Sequence, residues 1–193
     1  GELKQVNTKE YYQIRPVINL NSKIMIDPLT KGTSDNPYVL RGDESSEQNS
    51  YLRNRYTGEY IKFAGKVWRI AEVNENYTKL VLYGKDTKMK FGPNNIYAER
   101  ENEISEFLGN IYYNILKGAL PEIDRYLYNG TFYGGKLSRG DAYTNVRIED
   151  SSYRNTMSNI GILSLGELFS GNDLNLTDDN ITWTMTPSGE EEG

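Results

Sequence analysis

The chain has 193 residues and a formal net charge of −5, a length that fits one domain or one domain with an appendage. The acidic balance argues against a general nucleic-acid binder and against an electrostatic anchor on anionic lipid. Histidine and cysteine are both absent, which excludes Ser-His-Asp and Cys-His sites, imidazole and thiolate metal sites, and disulfides. We therefore expect no transition metal and no cofactor, and any enzyme built from this chain has to use carboxylates, Lys, Tyr, Ser or Thr.

Tyrosine dominates the aromatic residues, with 16 Tyr against five Phe and two Trp. Tyr suits strand positions through its β-propensity, and it suits half-wet binding faces because it joins an apolar ring to a polar tip. The composition leaves both interpretations open. No apolar stretch approaches the about 20 residues needed to span a bilayer, and no basic, apolar leader begins the chain. We therefore expect no membrane insertion.

The first forty residues predict three short strands. Residues 14–20 form a dense β-branched run, residues 24–26 a second run that ends at a turn beginning with Asp27, and residues 38–40 a third. Pro16 suggests that the first strand is an edge strand or carries a bulge. Residues 41–55 are almost all polar, which predicts a linker or a mobile loop.

A three-stranded meander is predicted next, over residues 60–63, 67–73 and 79–83. Ala64 and Gly65 separate the first two runs, so we expect a hairpin with a short glycine-containing turn. Trp68 lies in the second run and Trp183 in an alternating run at 181–186. Both indoles are expected to be largely buried.

The strongest helical pattern spans about 95–117, with Lys117 and Gly118 placed as a C-terminal charge and cap. We expect it to pack against the strand that carries Val67 and Ile70. A shorter helix is predicted to begin near Pro121. The apolar stripe of the main helix consists of Ile104, Phe107, Leu108, Ile111, Tyr112, Ile115 and Leu116.

The rest of the chain is predicted to be loop-rich. Residues 130–159 read as long loops with short strands, and residues 160–163 as a short buried strand. Ser164 is placed to cap a helical turn that contains Leu165, Leu168 and Phe169. The glycine-rich stretch at 129–136 lacks the spacing of a phosphate-binding loop.

Candidate chemistry in the sequence is sparse. Oxygen ligands for calcium cluster at 172–180, but their spacing does not match an EF-hand, and a solvated turn is the better explanation. No pair of carboxylates stands out for glycoside hydrolysis. The sequence therefore assigns no catalytic, cofactor-binding or metal residue. The calcium candidates are Asp173, Asp178 and Asp179, with Asn172, Asn175 and Asn180.

Several motifs together resemble one family of extracellular domains. IRPVINL at 14–20, GT at 32–33 and NPYVL at 36–40 resemble the end of a domain found in surface and pilin-like proteins of Gram-positive bacteria. YIKFAGKVWRI at 60–70 resembles the same domain's beginning. FLGNIYYN at 107–114 is similar to its helix, and IGILS at 160–164 and WTMTPS at 183–188 to its later strands.

The resemblance implies an α+β, C-type-lectin-like fold, related in shape to the formylglycine-generating enzymes. Such a fold has a twisted antiparallel sheet, one or two helices and long loops. The enzymes of that group depend on cysteines or other dedicated residues, and this chain has no cysteine. Their activity is therefore not carried over, and what the resemblance implies is a binding or scaffold domain.

The order of the motifs is reversed relative to the family. Residues 1–43 resemble the fold's C-terminal strands, either from a preceding module or from a permuted domain. Residues 44–55 are then a linker, 56–188 the main α+β domain, and 189–193 a disordered tail. Because unpaired strand edges seek partners, residues 11–40 are expected to complete the sheet of 56–188, in the same chain or in a neighbouring one.

The expected function is a non-catalytic module on a bacterial cell surface. It serves adhesion, glycan or protein binding, or fibre assembly by strand complementation with other copies or neighbouring modules. One alternative is a carbohydrate-active enzyme with paired carboxylates. Another is a structural spacer in an adhesin stalk. An exposed aromatic shelf favours the sugar binder, and a cleft with two carboxylates favours the enzyme.

Overall fold

A computed structural model describes residues 6–41, 50–84, 86–92, 102–132, 156–169 and 182–185. Most of the regular structure in these residues is strand, and one main helix accompanies it. The strands are β1 (Tyr12–Gln13), β2 (Val17–Asn21), β3 (Tyr38–Val39), β4 (Tyr60–Phe63), β5 (Lys66–Val73), β6 (Tyr77–Leu82), β7 (Lys88–Met89), β8 (Gly130–Phe132), β9 (Thr156–Ser158) and β10 (Ile160–Gly161).

The core of the fold is a six-stranded open twisted sheet with the order β10-β2-β6-β5-β4-β3. Neighbours are antiparallel except β3 and β4, which are parallel. Two small sheets flank it, formed by β1 with β7 and by β8 with β9. This arrangement confirms the expected mixed α+β class.

The predicted meander is present as β4, β5 and β6. Ala64 and Gly65 join the first two strands with φ values of 46° and 72°. Positive φ at both central residues is the geometry of the tight hairpin turns that match strand twist. Trp68 is fully buried beside this turn, and its Nε1 donates to the Phe63 carbonyl at 3.0 Å. Trp183 is also buried, so both indoles lie where the sequence predicts.

Strand β2 is an interior strand of the large sheet, between the edge strand β10 and β6. The first strands thus pair with the later segment within the same chain. The edge position suggested by Pro16 is wrong. This proline precedes the strand, and its carbonyl accepts from the Leu82 amide at 2.9 Å, so its missing N–H interrupts no ladder within β2.

Part of the predicted linker is packed into the structure. Leu52 is fully buried in a 3-10 turn, Leu52–Asn54, and its amide donates to the Ile24 carbonyl at 2.8 Å. Tyr51 forms an isolated bridge with Met25. Residues 50–55 therefore belong to the folded body, whereas 42–49 lie outside the described residues.

The main helix, α1, has three continuous segments: an α-helical Glu103–Glu106, a π-helical Phe107–Tyr112 and an α-helical Tyr113–Ala119. Asn102 caps it, and its Oδ1 accepts from the amides of Ile104 and Ser105 at 3.1 and 3.0 Å. The portion predicted before residue 102 lies outside the described residues. The helix near Pro121 is a 3-10 turn, Ile123–Arg125.

The apolar stripe of α1 is narrower than predicted. Its buried residues are four apart: Ile104, Leu108, Tyr112 and Leu116. Ile111 is 57% exposed and Ile115 is 50% exposed. A π-helical segment has more residues per turn than an α-helix, so residues spaced by four stay in line while those spaced by three rotate away.

A one-turn helix, α2 (Leu165–Phe169), follows β10. Ser164 caps it as predicted, since its Oγ accepts from the Glu167 amide at 3.2 Å. Glu167 returns a bond, because its Oε2 accepts from the Ser164 amide at 2.8 Å. This reciprocal pattern is a capping box, and it fixes the Glu167 carboxylate beside the sheet.

No helix in the described ranges is long and apolar enough to cross a membrane. The proposed division at residues 43, 55 and 188 stays a prediction, and the tail at 189–193 lies outside the described residues.

Candidate functional site

The two faces of the large sheet differ in chemistry. One face is mainly apolar and carries Ile18, Trp68 and Leu80. This face is turned toward α1, because Lys66, at its end on β5, places its Nζ 5.5 Å from the ring centre of Tyr112 in α1. Side chains alternate along a strand, so the neighbouring residues project to the opposite side. We call this opposite side the polar face.

A row of polar residues crosses three adjacent strands on the polar face. Asn19 of β2 lies opposite Lys79 of β6, and Lys79 lies opposite Glu72 of β5. The last pairing depends on a register shift between Ile70 and Glu72, which inserts Ala71 as an extra residue. Bulges of this kind re-aim side chains, and here the bulge places a carboxylate beside the lysine.

Lys79 is the centre of this row and is fully buried. Its Nζ donates to Oε1 of Glu167 and lies 3.8 Å from Oε2 of Glu72. The ring of Phe132 covers it at 5.1 Å, and that of Tyr77 lies at 5.8 Å. A buried ammonium is costly to desolvate, and paired carboxylates offset that cost.

Both carboxylates are held by further hydrogen bonds. Oε1 of Glu72 accepts from Asn74 Nδ2 at 3.0 Å and from the Tyr77 hydroxyl at 3.1 Å. Glu167 is fixed by the capping box at Ser164. The acids therefore reach Lys79 from two elements, β5 and α2, that are themselves ordered by these bonds.

Asn19 is fully buried, and neither its Oδ1 nor its Nδ2 has a hydrogen-bond partner among the described residues. The backbone of Gly130 covers it closely: a Cβ added at position 130 would lie only 2.7 Å from Asn19 Nδ2. An unsatisfied buried polar group costs about 1–3 kcal/mol, so a buried amide without partners calls for an explanation. Its position next to Lys79 makes this pair the most unusual chemistry in the described part of the chain.

The other end of the polar face is aromatic and partly open to solvent: Tyr83 and Lys62 are exposed, and Tyr60 and Arg69 are half-buried. We call these four residues the tyrosine shelf. The rings of Tyr60 and Tyr83 meet edge to face, with centroids 4.9 Å apart. Arg69 lies over the Tyr60 ring at 5.2 Å, and its Nε donates to the Gly58 carbonyl at 2.9 Å. Lys62 is exposed, and Tyr83 is 46% exposed.

The calcium candidates Asp173, Asp178 and Asp179 lie outside the described residues. Within the described ranges, no group of three or more acidic side chains is placed to hold a metal ion. The carboxylates that do converge, Glu72 and Glu167, were not singled out by the sequence. Two signals point to them in retrospect: the Ser164-to-Glu167 capping spacing, and a lysine that interrupts the apolar run of β6.

Comparison with protein-family models, with curated proteins and with solved structures finds no match to this chain.

Proposed function

We propose that the chain is a non-catalytic extracellular module of a bacterial surface or pilus-like protein, with a C-type-lectin-like fold, that binds a glycan through the tyrosine shelf. The observation that carries the proposal is the contact between exposed Tyr83 and half-buried Tyr60, beside Arg69 and the exposed Lys62. The motif resemblance over residues 14–40 and 60–70 supports the extracellular setting and the fold.

The chemistry of the shelf suits a sugar. Tyrosine rings offer apolar area to the C–H face of a pyranose, and their hydroxyls offer hydrogen bonds to its edge. The flanking cations add donors and attract acidic groups on a ligand, in a chain whose net charge is −5. A protein ligand that presents acidic and aromatic side chains is the alternative occupant of the same surface.

The paired carboxylates give less support to an enzyme. Glycoside hydrolysis needs two acids separated by about 5–10 Å with the scissile bond between them. Here Lys79 stands between Glu72 and Glu167, bonded to one and 3.8 Å from the other. The space that a sugar needs is thus taken by a buried ammonium.

Fibre assembly through residues 11–40 is also less favoured. Strand β2 is already paired on both sides within the chain, by β10 and β6. The outer strand β3 is two residues long and offers little edge to a second copy. These pairings support a self-contained module that binds a ligand.

A glycan array with Tyr83→Ala tests the proposal. We expect the wild type to bind a defined set of glycans and Tyr83→Ala to lose at least tenfold in affinity, a change of about 1.4 kcal/mol. Tyr11→Ala is the matched control, because Tyr11 is also exposed and lies beneath a lysine, Lys90, at 5.1 Å, but outside the large sheet. Wild-type protein that binds no glycan, or equal loss in both variants, would overturn the proposal.

A further inference from the structure

The backbone hydrogen bonds bring Asn19 and Lys79 as close as two cross-strand residues can be. The Leu82 amide donates to the Pro16 carbonyl at 2.9 Å and the Ser22 amide to the Asn76 carbonyl at 3.2 Å, so the residues of β2 that bond to β6 are even-numbered. The Asn19 carbonyl instead accepts from the Tyr128 amide at 2.8 Å. Asn19 and Lys79 are therefore a non-hydrogen-bonded pair, whose Cα atoms lie about 4.5 Å apart.

The two side chains share a buried setting on the polar face. Lys79 is fully buried, with the Phe132 ring 5.1 Å from its Nζ, and Val17 and Val81 are the next cross-strand pair on the same face. Desolvated lysine next to a proton acceptor is an arrangement that proteins use for nucleophilic attack on a carbonyl carbon. Glu167 is the acceptor in contact with Nζ, and the Asn19 amide is the neighbouring carbonyl, without partners among the described residues.

We propose that Lys79 and Asn19 join covalently, through an amide bond between Lys79 Nζ and Asn19 Cγ. Glu167 takes a proton from the Lys79 ammonium, and the free amine attacks Cγ. The Nζ–Cγ bond forms, the Cγ–Nδ2 bond breaks, and protons pass from Nζ and Glu167 to the departing nitrogen. Ammonium leaves, Glu167 is again a carboxylate, and no oxidant, metal or cofactor takes part.

This bond explains features that a plain ion pair does not. It removes the buried amide that has no partner and the buried charge of Lys79 together. It also ties β2 to β6, two neighbouring strands that are far apart in the chain. The proposal does not depend on the glycan ligand, since it concerns the covered end of the polar face and not the tyrosine shelf.

Intact-mass spectrometry of the folded full chain tests the crosslink. We expect the wild type to be lighter than its sequence mass by one ammonia, and Lys79→Arg to have its full sequence mass. A tryptic digest should contain a branched peptide that joins the segments around residues 19 and 79. Trypsin should not cut after Lys79, because an acylated lysine is no longer a substrate.

Four variants make the mass change specific. Asparagine can also lose ammonia by cyclising onto its own backbone, a reaction that needs no lysine. A loss of ammonia that persists in Lys79→Arg would therefore count against the crosslink. Asn19→Asp should react by losing water and give the same final mass as the crosslinked wild type. Glu167→Gln should stop the reaction, while Glu72→Gln, which leaves the contacting carboxylate in place, should retain it.

Folded wild-type protein that keeps its full sequence mass after prolonged incubation would overturn the proposal. So would a digest in which Lys79 is cleaved normally and no branched peptide is found. Because these two measurements use the wild type, the outcome does not depend on whether every variant folds.

Discussion

At the scale of single residues, Tyr112 shows how burial controls a titratable group. It lies on the buried stripe of α1, and its hydroxyl faces the carboxylate of Asp86. Burial raises the pKa of the Tyr112 phenol far above its usual value, and the negative charge of Asp86 raises it further. The folded protein therefore holds this proton at a pH where the unfolded chain releases it.

The pH dependence of stability follows from that shift. An unfolded tyrosine ionises near a pKa of about 10, so below that pH both states bind the proton and the group adds no slope. Above it the unfolded state binds fewer protons than the folded state, so the free energy of unfolding falls as pH rises. Tyr112→Phe should leave stability at pH 7 almost unchanged and flatten this alkaline decline in denaturant titrations.

The control for this prediction is Tyr56→Phe, which removes an exposed hydroxyl. It should keep the alkaline slope of the wild type. Identical slopes in Tyr112→Phe and the wild type would show that the phenol titrates similarly in both states.

At the scale of elements, α1 buries only some of the apolar residues that its sequence pattern assigns to one stripe. Leu108→Ala should lower the free energy of unfolding by about 2–5 kcal/mol, because Leu108 is fully buried. Ile111→Ala, three residues on, should change it by no more than about 0.5 kcal/mol. Urea denaturation of both variants checks the assignment, and similar costs would contradict the register of the helix.

The same helix shows where sequence patterns stop being sufficient. A 3.6-residue period placed Phe107, Ile111 and Ile115 on the packed stripe, yet Phe107 is only partly buried and both isoleucines are exposed. The π-helical stretch Phe107–Tyr112 turns the following residues away from the positions that a regular α-helix would give them. The apolar spacing does not predict this stretch. The β4–β5 hairpin was predictable because Gly65 tolerates positive φ between two apolar runs, whereas the positive φ of Ala64 was not.

The polar row of Asn19, Lys79 and Glu72 could not be predicted from the sequence, because it depends on strand register. Asn19, Lys79 and Glu72 meet only through the registers of β2, β6 and β5, which are long-range properties of the sheet. The bulge at Ala71 then decides which face receives the carboxylate. Sequence patterns place each of these residues in a strand, but they do not show that the three side chains lie side by side.

At the scale of the whole molecule, the sheet depends on its first strands. Removing residues 1–40 takes β2 from between β10 and β6 and leaves both with an open edge. We expect the truncated chain to be insoluble or molten, while the full chain is a monomer. Near-ultraviolet circular dichroism and amide spectra check this. A truncated protein with sharp amide signals and an unchanged melting temperature would show that the first strands are dispensable.

The central place of β2 also sets the order in which the molecule can form. The strand is synthesised before both of its partners, β6 and β10, the last of them at Ile160–Gly161. The large sheet is therefore complete only after residue 161 has been made, and its contacts close long loops, which slows folding. Until then β2 keeps one edge unpaired, and an unpaired apolar edge exposes the nascent chain to aggregation.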